Sequence, residues 1–221
     1  MSDLTPKRPA RFEDPLDLLP RIVTKLYTLW IAATYPFAYL GKGVSIQYPC
    51  LMNKRMAHKI KLGNSVAIRK DAWLNILPKA ASGLNIIVDD GCLVGARSVI
   101  SARNSIHLEK DVIMATSVLV MDHNHLYEDI SRAIKDQGPT PGGPIRIEQG
   151  CWIGHGAAIV CNEGELVIGR NSVIAANALV TRSFPPYSVI VGNPARLARQ
   201  YDPEKGVWIG GGRPSPGESA K

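Results

Sequence analysis

The stretch "IIVDDGCLVGARSVISARNSI" (Ile86 to Ile106) decides the fold. Its residues Val88, Val94, Ile100 and Ile106 fall six apart. That period matches neither the 3.6 residues of a helical turn nor the alternation of a two-faced strand. The beat continues through Leu108, Met114 and Val120 after a slip of two. Beyond a gap it resumes as Ile147, Ile153 and Ile159, then as Ile168, Ile174 and Val180. Four residues after these anchors lies a position that is usually small: Cys92, Ser98, Val112, Val118, Cys151, Ala157, Ser172 and Ala178. Gly95, Gly154 and Gly169 follow their anchors directly. Such hexads fit a coil of three short flat strands, one hexad to each side of a triangle. Anchor and small residue point inward, and glycine lets the backbone turn. Stacked coils then bury a continuous ladder of Ile and Val.

Composition agrees with this reading. The chain has 221 residues, enough for one domain with appendages. Hydrophobic residues make up 45% but aromatics only 6%, so small and branched side chains must do the packing. The net charge of +7 favours anionic partners such as acidic lipid or a phosphorylated ligand. No basic run interleaved with aromatics occurs, which argues against nucleic acid. Cys50, Cys92, Cys151 and Cys161 form no CxxC pair, so zinc-finger spacing is absent. They read as reduced thiols of a cytoplasmic protein. No apolar run reaches the roughly 18 residues of a membrane span.

Three regions follow. Residues 1–43 comprise a polar, disordered start and an apolar cap. Leu18, Leu19, Ile22, Leu26, Leu29 and Trp30 recur at helical spacing, predicting a helix from Pro15 to about Thr34 that Pro36 ends. This cap either covers the end of the coil or lies on a membrane surface, giving peripheral contact through residues 15–40 at the inner face. Residues 44–193 form the coil. A loop at about 123–144, rich in turn residues ("DQGPTPGGP"), must be extruded from it. Residues 194–221 read as a short helix ("NPARLARQY") and a flexible Gly-, Pro- and Ser-rich tail.

The extruded loop begins in "VLVMDHNHLYED" (Val118 to Asp129). Its two histidines could serve as a catalytic base, as metal ligands with His107 or His155, or as a solvated pair.

The hexads, closing in "VTRSFPPYSVIVGNPARLARQY", resemble the hexapeptide-repeat acyltransferases from Ile60 to Tyr201. The order of His loop, Trp-Ile-Gly and Gly-Asn-Pro-Ala is similar to the sugar O-acetyltransferase branch. That branch includes galactoside, maltose and polysaccharide-biosynthesis acetyltransferases. The resemblance implies an all-β, left-handed parallel β-helix with an N-terminal helical cap, one extruded loop and a short C-terminal helix. It implies a homotrimer with sites between neighbouring walls. It also implies acetyl transfer from acetyl-CoA to a saccharide hydroxyl, without a metal. An ungapped count places the catalytic base at His125 and leaves His123 near the acceptor. Asp122, Glu128 or a backbone carbonyl would orient the imidazole. The coenzyme positions carried over are Trp152, Gly154, Ala176, Thr181 and Arg182. Arg196 and Arg199, i and i+3 on one helix face, would meet its phosphates. Asn75 and Asn85 are outward candidates for the acceptor. The segment Leu18 to Leu40 replaces the family's usual N-terminal region, which favours a lipid-linked or polymer-bound saccharide. The rival readings are a zinc hydrolyase of the gamma-carbonic-anhydrase type, whose paired ligands five apart are missing here, and a non-catalytic scaffold.

Overall fold

A computed structural model describes residues 18–211. The expected disordered start and the last half of the expected flexible tail lie outside the described residues. Between them the chain winds into a parallel β-helix with three walls. The first wall stacks six strands, among them Ile86–Val88, Ile106–Leu108 and Ile145–Ile147. The second includes Leu93–Val94, Ile113–Met114, Trp152–Ile153 and Ser188–Val191. The third includes Ala72–Ile76, Val99–Ala102, Leu119–Met121 and Leu179–Val180.

The hexad anchors form the core. Val88, Val94, Ile100, Met114, Val120, Ile153, Ile159, Ile168 and Ile174 are fully buried. In-register pairing stacks like on like: Ile106 sits between Ile86 and Ile145. The small position has a second use beyond volume. Cys92 Sγ lies 2.9 Å from Glu109 O, and Ser98 Oγ donates to Ala115 O at 3.1 Å. Ser172 Oγ likewise donates to Pro185 O at 3.3 Å. Each hydroxyl or thiol bonds a corner carbonyl of the next coil, which an alkyl side chain could not do. At the corner glycines the coils nearly touch. A Cβ on Gly95 would lie 2.0 Å from Ala115 O.

The slip of two also has a place in the fold. It falls at the corner between the third and first walls, within Ala102 to Ile106. The 3₁₀ turn Lys54–Lys59 and the extruded loop leave at the same edge.

The C-terminal helix is not formed. Arg196–Asp202 is instead a strand, antiparallel to Ser188–Val191, and a second strand, Val207–Ile209, pairs with it. The last coil would otherwise end in an open edge of unpaired backbone groups, which the returning chain satisfies. Gly192, at φ +96°, permits the reversal. Helical spacing of two arginines could not outweigh that edge.

The N-terminal helix, α1, spans Leu18–Thr34. Pro15, its expected start, lies outside the described residues. The helix docks on the first coil, where Ile46 N–H donates to Thr28 Oγ1 at 2.9 Å and Tyr27 OH to Cys50 O at 3.2 Å.

Candidate active site

The extruded loop leaves the third wall after Met121, and its first residues turn into the widened corner. Asp122 is completely buried there. Its carboxylate accepts the backbone N–H groups of Arg103 and Asn104, each at 2.7 Å. The same carboxylate holds His123 Nδ1 at 3.0 Å. The His123 side chain keeps only 8% of its surface open.

Arg103 and Asn104 also pin the loop. Arg103 Nη1 donates to the carbonyls of Pro139 and Thr140, and Asn104 Nδ2 donates to Pro141 O at 3.0 Å. Asn124 N–H adds a bond to Thr140 Oγ1 at 2.9 Å. The loop therefore leaves and re-enters the coil through one hydrogen-bonded neck. Neither Arg103 nor Asn104 is among the residues singled out by the sequence reading. The available signal is the two-residue slip, which marks the corner they occupy.

His125, the expected base, lies outside this neck. It is exposed, its backbone bridges to Pro139, and its ring makes no hydrogen bond with the described residues. Asn75 does face outward on the third wall, where its Nδ2 donates to Ser101 Oγ at 2.8 Å. Asn85 does not face outward. It is fully buried, and its Nδ2 donates to the carbonyls of Arg103 and Asn104. As the residue just before the strand Ile86–Val88, it turns into the widened corner and supports the backbone that grips Asp122.

The expected coenzyme residues are dispersed. Thr181 and Arg182 are exposed and follow Val180 at the edge from which the loop leaves. Val180 pairs with Ile159 and Ile159 with Val120, so Thr181 lies two coils, about 10 Å, along that edge from Met121. Trp152, 51% exposed, stands mid-wall on the second wall beside Ile113. Ala176 is exposed at the corner between the second and third walls. Gly154 is buried, and a Cβ there would lie 2.6 Å from Ala176 N, so its role is coil stacking rather than an open groove. Arg196 and Arg199 share a face after all. A bulge in their strand sets them opposite Val191 and Val189, which alternate to one side. Arg199 stacks over Trp208 at 5.5 Å.

Other chemistries find less support. Burial pushes the thiols of Cys50 and Cys92 up to about 12 and that of Cys151 to about 11, so these remain protonated. Cys161 is raised by burial as well. Among the described residues, no group of three His, Cys, Asp or Glu side chains is placed to hold a metal ion.

The family model "Hexapeptide repeat of succinyl-transferase" matches residues 85–120 and 144–182. Over those residues the chain carries hexapeptide repeats and resembles the acyltransferases built from them. A Mycobacterium tuberculosis protein named a probable acetyltransferase is 27% identical, covering 90% of this chain and 67% of its own length. Escherichia coli WbbJ, named for O-acetyl transfer in lipopolysaccharide biosynthesis, is 26% identical over 64% of this chain and 79% of its own. The fold matches AntD, an N-acyltransferase of Bacillus cereus solved with dTDP and 3-hydroxybutyryl-CoA. That match has a TM-score of 0.62 at 17% identity, covering 78% of this chain and 85% of AntD. A Vibrio cholerae hexapeptide-repeat acetyltransferase solved with acetyl-CoA aligns at a TM-score of 0.51 and 24% identity, over 80% of this chain and 76% of its own.

Proposed function

We propose that this acyltransferase moves an acetyl group from acetyl-CoA to a saccharide hydroxyl, with His123 as general base. The observation that carries the assignment is the buried Asp122 carboxylate against His123 Nδ1. A carboxylate there keeps the proton on Nδ1 and leaves the Nε2 lone pair to take a hydroxyl proton. The hydroxyl oxygen then attacks the thioester carbonyl. The tetrahedral intermediate collapses by breaking the carbon–sulfur bond, and the CoA sulfur leaves with the proton held by His123. A base of this kind accelerates transfer by about 10²–10⁴-fold. Counting along the sequence favoured His125, but that ring has no orienting partner among the described residues.

The acceptor reading is a lipid-linked or polymer-bound saccharide of surface polysaccharide assembly. The enzyme would work in the cytoplasm, held at the inner membrane face through residues 15–40. The assembly reading is a homotrimer. In one chain Trp152 and the Asp122–His123 pair occupy different sides of the prism, and a neighbouring wall brought against the loop edge would unite them. Thr181 and Arg182 on that edge suit the coenzyme, and Asn75 on the third wall suits the acceptor.

The test is thiol release from acetyl-CoA with a panel of saccharides. His123→Ala should lower kcat by about 10²-fold or more, and His125→Ala by much less. Full activity in His123→Ala with loss in His125→Ala would return the base to His125.

A further inference from the structure

The helix α1 is turned the opposite way from most surface helices. A docked helix normally buries its apolar face. Here the docked face carries Tyr27, Thr28 and Ile31, and among the residues of α1 only Ile31 is buried. Leu18, Leu19, Ile22, Val23, Leu26, Leu29 and Trp30 are all 42–68% exposed. At 100° per residue these seven fall within one arc of about 140°. Ile31 and Thr28 lie on the opposite side. Hydrogen bonds to the coil hold the helix in this orientation, so the apolar arc is presented outward by construction.

Between α1 and the first coil opens a cavity of about 770 Å³. Arg21 and Lys25 from the helix and Arg69 from the coil line it, with Thr24, Ser45 and Gln47 between them. Among the described residues, no acidic side chain lines it. Lys25 borders the apolar arc on one side of the helical wheel, and Arg21 follows it toward Thr28. A wide apolar arc with cations along one side, where a cation-lined cavity opens, matches the interfacial layer of a bilayer whose headgroups carry phosphodiesters. The helix runs along such a surface rather than through it, since no described helix is long and apolar enough to cross a membrane.

We infer that α1 docks the protein on an anionic membrane, with the apolar arc in the acyl boundary and the cavity holding a phosphodiester headgroup. The inference deepens the membrane placement in the proposed function but does not depend on the identity of the catalytic base. It also gives the coil an orientation, with its N-terminal end on the lipid.

The experiment is cosedimentation of the full chain with two kinds of vesicle: phosphatidylcholine alone, and phosphatidylcholine mixed with phosphatidylglycerol. The wild type should bind the mixed vesicles at least about tenfold more tightly, and salt should weaken that binding. Lys25→Glu with Arg69→Glu should reduce it by about tenfold or more. Leu26→Glu, at an exposed position, should reduce it similarly. His123→Ala should bind as the wild type does, and the Lys25/Arg69 variant should retain turnover with a soluble acceptor, so the two proposals fail separately. Equal binding to both vesicles, or unchanged binding by Leu26→Glu, would overturn the inference. So would a smaller assembly of Leu26→Glu in lipid-free light scattering, because a second copy would then be what covers the arc.

Discussion

His123 and His125 are two residues apart yet differ in everything that matters to a base. One is held by a buried carboxylate; the other stands in solvent. Asp122→Asn tests whether the carboxylate's charge matters. Asparagine keeps the size, but it gives up the acceptor for one of the two backbone N–H groups and the stabilisation of an imidazolium, so kcat should fall by at least about tenfold while acetyl-CoA binding holds. A KM for acetyl-CoA that rises while kcat is unchanged would make Asp122 a packing residue. A second carboxylate carries a stability prediction. Burial pushes the Asp89 carboxyl up, but hydrogen bonds from His107 at 2.7 Å and Lys61 at 2.9 Å outweigh it and leave it below the usual range. A lowered carboxyl stabilises the fold above its unfolded value of about 3.9, and that contribution is lost as pH falls through the folded value. Asp89→Asn should therefore cost on the order of 1 kcal/mol at neutral pH. In urea titrations the difference from wild type should shrink below about pH 4.

At the scale of elements, the coil corners are the sensitive points. Gly95→Ala would drive a Cβ to within 2.0 Å of Ala115 O, and backbone on both sides cannot yield easily. A loss of about 1–3 kcal/mol is expected, seen as a lower urea midpoint. A midpoint unchanged from wild type would mean that the coils can separate locally. The strand elements were legible because each hexad reports its own inward residue, and local pattern suffices. The C-terminal element was not. "NPARLARQY" has helical arginine spacing, yet its conformation is set by the open edge of Ser188–Val191, which no local window contains. The bulge that returns both arginines to one face is equally a property of the pairing. The helix α1 was legible as a helix, while the side it turns to the coil was decided by the hydrogen bonds of Thr28 and Tyr27.

For the whole molecule, the distribution of the proposed site residues is the chief clue. The Asp122–His123 pair, Thr181 and Arg182 share one edge, while Trp152 stands on another wall. Ile113 and Trp152 form a neighbouring exposed apolar pair on the flat second wall, suited to burial against a second copy. Light scattering should give three times the chain mass, and Trp152→Glu should shift it toward the monomer with loss of activity. A monomer with full turnover would place the whole site on one chain.

The sequence by itself determined the coil, the point at which the loop departs and the resemblance to hexapeptide-repeat acyltransferases, because a six-residue repeat encodes each strand independently of its neighbours. Only the tertiary structure decided which histidine receives a carboxylate, what Asn85 supports, how the chain closes its last edge and which way α1 faces. Each of these depends on groups brought together from different coils. Asp122 meets the amides of Arg103 and Asn104 only because the coils stack, and that contact leaves no periodic trace along the chain.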